Sequence, residues 1–265
     1  MASCSIPAHQ TLLARPRSTR LTRRMRSGLV QAQCGAVDDD RWMRSLKHGY
    51  TNRTVGDGSV VEKTYEGPDA GIRRAREYAL LTRLQGKLPV PPVRGVDDGV
   101  LTLGFVAGAP GQELVEAGHA AQVLEACGVL LRRIHETAPS VLGAGAHDAG
   151  KVLVHGDFGP NNLLLDPESF QVTAVVDWEF AHLGDAVEDL AWCEWIVRMH
   201  HAEHHQELDH FFNAYGGAVP AWPVRQAAML ARCADLEQFC HRGDPHGPGV
   251  KQWQERAAET AGWRE

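Results

Sequence analysis

The stretch from Val152 to Asp166, VLVHGDFGPNNLLLD, constrains this 265-residue chain more than any other feature. The apolar runs at its two ends read as short buried strands, and the polar, turn-prone centre between them reads as a loop. A loop carried on rigid strands is where chemistry is usually placed. The next apolar run, VTAVVD, ends at Asp177, so Asn162 and Asp177 stand at the two ends of a predicted hairpin. A hairpin brings its ends together, which puts both beside Asp157. Two oxygen ligands, with room left for water and phosphate, is how Mg²⁺ is usually held. A third carboxylate, free of metal, can then orient a hydroxyl.

The rest of the chain reads as two lobes. Before Gly108 it is rich in short strands: SLKHGYTNRTV and SVVEKTY flank a turn at Gly56–Gly58, and LPVPPVRGV and GVLTLGFV follow later. Between them GIRRAREYALLTRLQG has helical spacing and stops at Gly86. Lys63 lies in the second strand of the hairpin, and Glu77 lies fourteen residues on, in the helix. The turn HGYTNRT, with its single glycine Gly49, can lie over phosphates. GAPG, residues 108–111, reads as a break. Beyond it AAQVLEACGVLLRRIHET places Val123, Cys127, Leu130, Leu131 and Ile134 on one helical stripe. After about Asp185 the helical candidates are EDLAWCEWIVRMH, a segment around ELDHFFNAY, and VRQAAMLARCADLEQFCH. The expected organisation is a basic, disordered arm over 1–40, an N-terminal nucleotide-binding lobe over 41–107 and a C-terminal catalytic and substrate-binding lobe over 108–265.

The division of labour among Asp157, Asn162 and Asp177 is that of the protein kinases. The motifs resemble, more narrowly, the aminoglycoside phosphotransferase family, which shares the kinase fold with choline kinases. His155-Gly156-Asp157, Asn162, Asp177-Trp178-Glu179, Gly184-Asp185 and Asp189-Leu190-Ala191 all match its pattern. The protein-kinase marks Asp-Phe-Gly and Ala-Pro-Glu are absent after the catalytic loop. The resemblance covers roughly residues 45–242 and is strongest over 150–192. It implies an α+β, two-lobed, protein-kinase-like fold. The N-terminal lobe would be an antiparallel sheet with one helix, and the C-terminal lobe mainly helical. Asp157 would position or deprotonate the acceptor hydroxyl, and Asn162 and Asp177 would hold Mg²⁺ on the phosphates of ATP or GTP. Lys63 would grip the phosphates and be oriented by Glu77, while the backbone of Gly104, Phe105 and Val106 would meet the base. Gly104 departs from the pattern, since many relatives have an acidic residue there. His155, Asp185 and Asp189 would brace the loop.

Net charge is −6, with +6 in residues 1–35 (six Arg, no Asp or Glu), so the other 230 residues carry −12. An acidic body does not suit nucleic acid, which binds Lys and Arg. It suits a cationic small molecule such as an aminoglycoside, with Glu179, Glu188, Trp192 and Glu194 as candidate substrate contacts and Glu203 and Glu207 beyond them. A choline-like amino alcohol, a sugar, or a non-catalytic nucleotide-binding role are the alternatives, together with a metal hydrolase built on His155, Asp157, Asp177 and His182. The Arg-rich start resembles a transit peptide in composition but lacks a secretory apolar core. No run approaches the ~20 apolar residues of a membrane span. Six scattered Cys without a CxxC pair suit small buried thiols in a reducing, cytoplasmic setting. In MHHAEHHQELDH the pairs His200/His204 and His201/His205 would share a face on a helix, but an ordinary polar segment is the expected reading.

Overall fold

The computed structural model describes residues 44–45, 52–143 and 150–265. The basic arm with Cys4 and Cys34, the HGYT part of the phosphate-covering turn with Gly49, and residues 144–149 lie outside the described residues.

The first lobe is an antiparallel sheet in the order β1-β2-β3-β5-β4. Its strands are β1 (Arg44–Ser45), β2 (Arg53–Gly56), β3 (Val60–Thr64), β4 (Val93–Asp97) and β5 (Val100–Gly104). The β2–β3 hairpin closes where Asp57 accepts the N–H groups of Ser59 and Val60. Helix α1 (Ala70–Leu84) follows β3 and buries Leu80, Leu81 and Leu84. Beyond its end Gly86 takes φ 74°, a conformation that favours glycine. Lys63 is paired with Leu101 at the middle of the sheet, which holds its side chain inside the molecule.

The expected break at 108–111 is in part a strand. β6 (Ala109–Pro110) pairs with β8 (Leu163–Leu165), and β8 pairs with β9 (Val172–Val175) as the predicted hairpin. A strand that the sequence reading did not anticipate, β10 (His182–Gly184), pairs with β7 (Val152–Val154). It is too short to show an alternating pattern. The loop from His155 to Asn162 is thus held between two small sheets.

Helices supply the remainder: α2 (Gly111–Leu114), a π-turn over Val115–His119, α3 (Ala120–His135), α4 (Ala186–His200), α5 (Leu208–Tyr215), α6 (Trp222–Gly243) and α7 (Pro248–Gly262). The segment Gly111–His135 is long and apolar enough to cross a membrane. In this fold its stripe of Val123, Leu124, Cys127, Leu130, Leu131 and Ile134 is buried in the main core. Each such aliphatic side chain contributes about 1.5–3 kcal/mol on burial. Helices α3 and α5 approach so closely at Gly128 that a Cβ there would lie 2.3 Å from the Phe211 carbonyl oxygen. The main core runs from Leu80, Leu84 and Leu101 in the first lobe to Leu124, Leu153 and Phe211 in the second. A smaller cluster joins Trp192 and Trp195 of α4 to Met229 and Cys233 of α6, with Trp253 of α7 packed on it. Cys127, Cys193 and Cys233 are buried thiols and Cys240 is half-buried; none of the four is in a disulfide.

Candidate active site

Asp177 and Asp157 are set by unusual backbone. Asp177 follows β9 with φ 68°, the left-handed region that a non-glycine residue enters at a cost of about 1–3 kcal/mol. Gly156, beside Asp157, has φ 84°, and a Cβ there would lie 2.6 Å from the Phe180 carbonyl oxygen, so only glycine fits. His155 braces the turn between them. Its Nδ1 accepts the Asp157 N–H (3.2 Å), which leaves Nε2 protonated to donate to the Val176 carbonyl (3.0 Å). The ring is also packed against Trp178. Asp189 accepts the backbone N–H groups of His155 (2.7 Å) and Gly156 (2.9 Å) and contacts His135 Nε2 (3.2 Å). Burial alone would raise its pKa, but these partners outweigh it and hold the carboxyl below its ordinary range. Asp185 caps α4 in a reciprocal arrangement with Glu188. His155 and Asp189 therefore brace the loop, while Asp185 serves as the helix start.

Asp157 has both carboxylate oxygens engaged. Oδ2 accepts the Asn162 Nδ2–H (2.8 Å), and Oδ1 accepts the indole N–H of Trp192 (2.8 Å). Burial pushes its pKa upward, and the charge of Arg232 and the Trp192 hydrogen bond oppose that rise. Across the site Lys63 Nζ lies 2.7 Å from Glu77 Oε2 and 2.6 Å from Asp177 Oδ1. Burial works against the ammonium charge, yet Asp177, Glu77 and Glu179 outweigh it and hold Lys63 protonated. Glu77 is fixed in turn by the Tyr65 hydroxyl (2.5 Å) and by the Trp178 N–H (3.2 Å).

Asn162 turns its Nδ2 to Asp157, which leaves the amide oxygen as its donor atom for a cation. Asp177 keeps 29% of its side chain exposed. Together they offer the hard oxygen donors that Mg²⁺ takes. Glu77, Asp177 and Glu179 also bring carboxylate oxygens within 4.8 Å of one another. This trio is not itself a chelating set, because Lys63 neutralises Glu77 and Arg73 neutralises Glu179. The linker after β5 is in part occupied: Gly104 donates its N–H to Pro92 and Phe105 donates its own to Ser59.

Three of the four candidate substrate contacts are engaged within the fold. Glu179 is fully buried between the lobes, accepting from Arg73 (2.6 Å) and Asn52 (2.9 Å). Burial, then Asp177, push its carboxyl up to about 7 despite Lys63 and Arg73. Glu194 is buried between Arg198 (2.8 Å) and Arg225 (2.7 Å). Glu188 caps α4 and pairs with His182 (2.8 Å). Of the four, only Trp192 meets the Asp157 carboxylate. Its ring stacks on Trp195 at 4.3 Å, so it belongs to the core and to the site at once. The histidine run does not form one α-helix: α4 ends at His200, and a 3-10 turn over Ala202–Glu207 separates the members of each pair. Arg73, Asn52 and Arg232 were not anticipated. None lies in a motif, and only long-range packing brings them to the site.

Residues 143–228 match the sequence model of the phosphotransferase enzyme family. The chain has the kinase-like fold of solved aminoglycoside and macrolide phosphotransferases. A macrolide 2′-phosphotransferase from Brachybacterium faecium superposes with a TM-score of 0.55 at 20% identity, covering 84% of this chain and 93% of the other. A choline/ethanolamine kinase family protein from Mesorhizobium loti gives 0.57 at 18% identity, over 83% and 86%. In sequence, 40 residues are 52% identical to mouse (Mus musculus) acyl-CoA dehydrogenase family member 10, which is 15% of this chain and 4% of that protein. A stretch of 62 residues is 39% identical to hygromycin-B 4-O-kinase of Escherichia coli, 22% and 18% of the two chains. The matched stretches thus span under a fifth of these curated relatives.

Proposed function

We propose that the chain is a kinase that transfers the γ-phosphoryl group of ATP or GTP to a hydroxyl of a small molecule. The observation that carries this reading is the Asp157 carboxylate. It is fixed by Trp192 and Asn162, keeps lone pairs for an incoming hydroxyl, and shares the site with the Lys63–Glu77–Asp177 triad. Asp157 orients the hydroxyl and takes its proton as the O–P bond forms. Its raised pKa makes it a better proton acceptor than an exposed carboxylate. Lys63 meets the phosphates of the nucleotide, and the linker at Phe105–Val106 lies alongside the base. Asn162 and Asp177 would hold Mg²⁺, which when bound would supply positive charge to offset that of the phosphates.

An aminoglycoside acceptor draws support from the hygromycin-kinase similarity, and an amino-alcohol acceptor from the choline/ethanolamine kinase neighbour. Charge favours neither. Of the acidic residues offered as substrate contacts, Glu179 and Glu194 are buried against arginines and Glu188 contacts His182, while Glu203 and Glu207 have histidine neighbours, which add charge only when protonated. The test is acceptor-dependent release of ADP or GDP with aminoglycosides, choline-like alcohols, sugars and hydroxy acids. Wild type should turn over at least one class, and Asp157→Ala should lower kcat by about 10²–10⁴-fold with nucleotide binding retained. Phosphorylation by Asp157→Ala at more than about half the wild-type rate would remove Asp157 from the mechanism.

A further inference from the structure

Arg232, on α6, is half-buried, and the Nε and Nη2 of its guanidinium are enclosed without a hydrogen-bond partner. The buried arginines spend their donors inside the protein: Arg73 on Glu179 and the Pro68 and Glu66 carbonyls, Arg225 on Glu194 and the Pro220 carbonyl. Burying unpaired guanidinium donors costs stability, so a group kept this way is one that waits for a partner. The Arg232 guanidinium lies 4.8 Å from the ring centre of Phe180 and 5.7 Å from that of Trp192. Trp192 is the residue that donates to Asp157 Oδ1, so Arg232 and Asp157 flank one indole. Nε and Nη2 form the side edge of the guanidinium fork, the edge that takes both oxygens of a carboxylate or phosphate in parallel hydrogen bonds. The phosphate-binding part of the site already has its own cation in Lys63.

We propose that Arg232 recognises an oxyanion on the acceptor: the molecule whose hydroxyl meets Asp157 also carries a carboxylate or phosphate that docks side-on upon Nε and Nη2. This deepens the kinase reading and rests on it. The aromatic faces of Phe180 and Trp192 shield the pair from water and strengthen it.

The experiment compares wild type, Arg232→Lys and Arg232→Gln with three sets of acceptors: short-chain hydroxycarboxylates, glycerol phosphate, and the matching methyl esters and diols. Wild type should use at least one oxyanion-bearing set about tenfold or more better in kcat/KM than its neutral counterparts. Arg232→Gln should erase that preference through acceptor KM, with the KM for ATP unchanged. Arg232→Lys, which keeps the charge and loses the fork, should fall between. The carboxylate and phosphate arms tell which oxyanion is read. Thermal shift supplies a second readout: the preferred oxyanion should raise the melting temperature of wild type and not that of Arg232→Gln, whose own melting temperature should match or exceed wild type. Equal use of neutral or polycationic acceptors by wild type and Arg232→Gln would overturn the proposal while leaving the kinase intact. So would a rise in the KM for ATP with every acceptor, which would place Arg232 on the transferred phosphoryl group. Failure of wild type to bind nucleotide at all would overturn the kinase reading and this inference with it.

Discussion

The indole N–H of Trp192 lies 2.8 Å from Asp157 Oδ1 and donates to it. This one bond links the catalytic loop to α4, because the same indole is stacked on Trp195 and cannot swing away. It also stabilises the ionised carboxyl, against a burial that favours the protonated form.

Trp192→Phe should therefore keep the packing and lose the donor. A hydrogen bond to a charged group is worth about 1.5–3 kcal/mol, which corresponds to about one to two pKa units. The Asp157 pKa should rise further, and the acid limb of the kcat–pH profile should move to higher pH. At neutral pH kcat should fall, by up to about a hundredfold. Rates measured across the pH range decide this: a profile of unchanged midpoint would show that the Trp192 bond does not act on the base.

At Asp177 the informative variant is Asn, because Asn tolerates the left-handed φ of 68°. Asp177→Asn should fold normally and lose about 10²-fold or more in turnover. The charge needed to hold Mg²⁺ is gone, and Lys63 loses a partner at 2.6 Å. Excess Mg²⁺ should restore little. Turnover by wild type that persists undiminished in EDTA would sink the metal-dependent mechanism.

Legibility in the sequence followed the range of the interactions. HGD, Asn162 and Asp177 could be read because one hairpin joins them, and the structure places Asn162 2.8 Å from Asp157. Lys63 and Glu77, fourteen residues apart, could be paired from a strand and the helix after it, and they meet at 2.7 Å. The fates of Glu179 and Glu194 could not be read. Glu179's partner Arg73 lies 106 residues away; Glu194 has a local i,i+4 partner in Arg198, but its burial depends on Arg225, 31 residues away. A count of net charge says nothing of where each carboxylate lies, so it could not show that Glu179 and Glu194 are buried against arginines. Arg232 was hidden for the same reason: its side chain reaches the site only through the packing of α6 on α4.

The Arg73–Glu179 pair bridges α1 to the segment after Asp177, with both side chains almost wholly buried. Removing one member of such a pair strands a charge, at about 3–5 kcal/mol. Arg73→Met should therefore be strongly destabilised, and adding Glu179→Gln should recover much of the loss. The pH dependence should change as well. The Glu179 carboxyl is raised from 4.5 to about 7, so the folded state favours its protonated form, and its contribution to stability is lost as pH rises through that window. Without Arg73 its pKa climbs further, so the penalty of Arg73→Met should be larger at about pH 8 than at about pH 5. Urea unfolding at both values measures it, and a penalty independent of pH would show that Glu179 is not the stranded charge.

The last prediction concerns acid stability and comes from His201, which ends α4. Its backbone N–H closes the helix on the Val197 carbonyl, and its side chain is buried. Burial lowers the imidazole pKa below 6.5, while Glu116 and Glu203 only partly oppose that shift. The unfolded chain thus takes up a proton near pH 6.5 that the folded chain refuses. The stability contributed by neutral His201 is complete above 6.5 and is lost as pH falls toward its depressed folded value. His201→Gln keeps a polar side chain without a titrating group. Its unfolding free energy should decline less than that of wild type between about pH 7 and pH 5, while the two converge in slope above about pH 7. Parallel curves across the whole range would mean that His201 titrates alike in the folded and unfolded chains, and that the acid sensitivity of this lobe arises elsewhere.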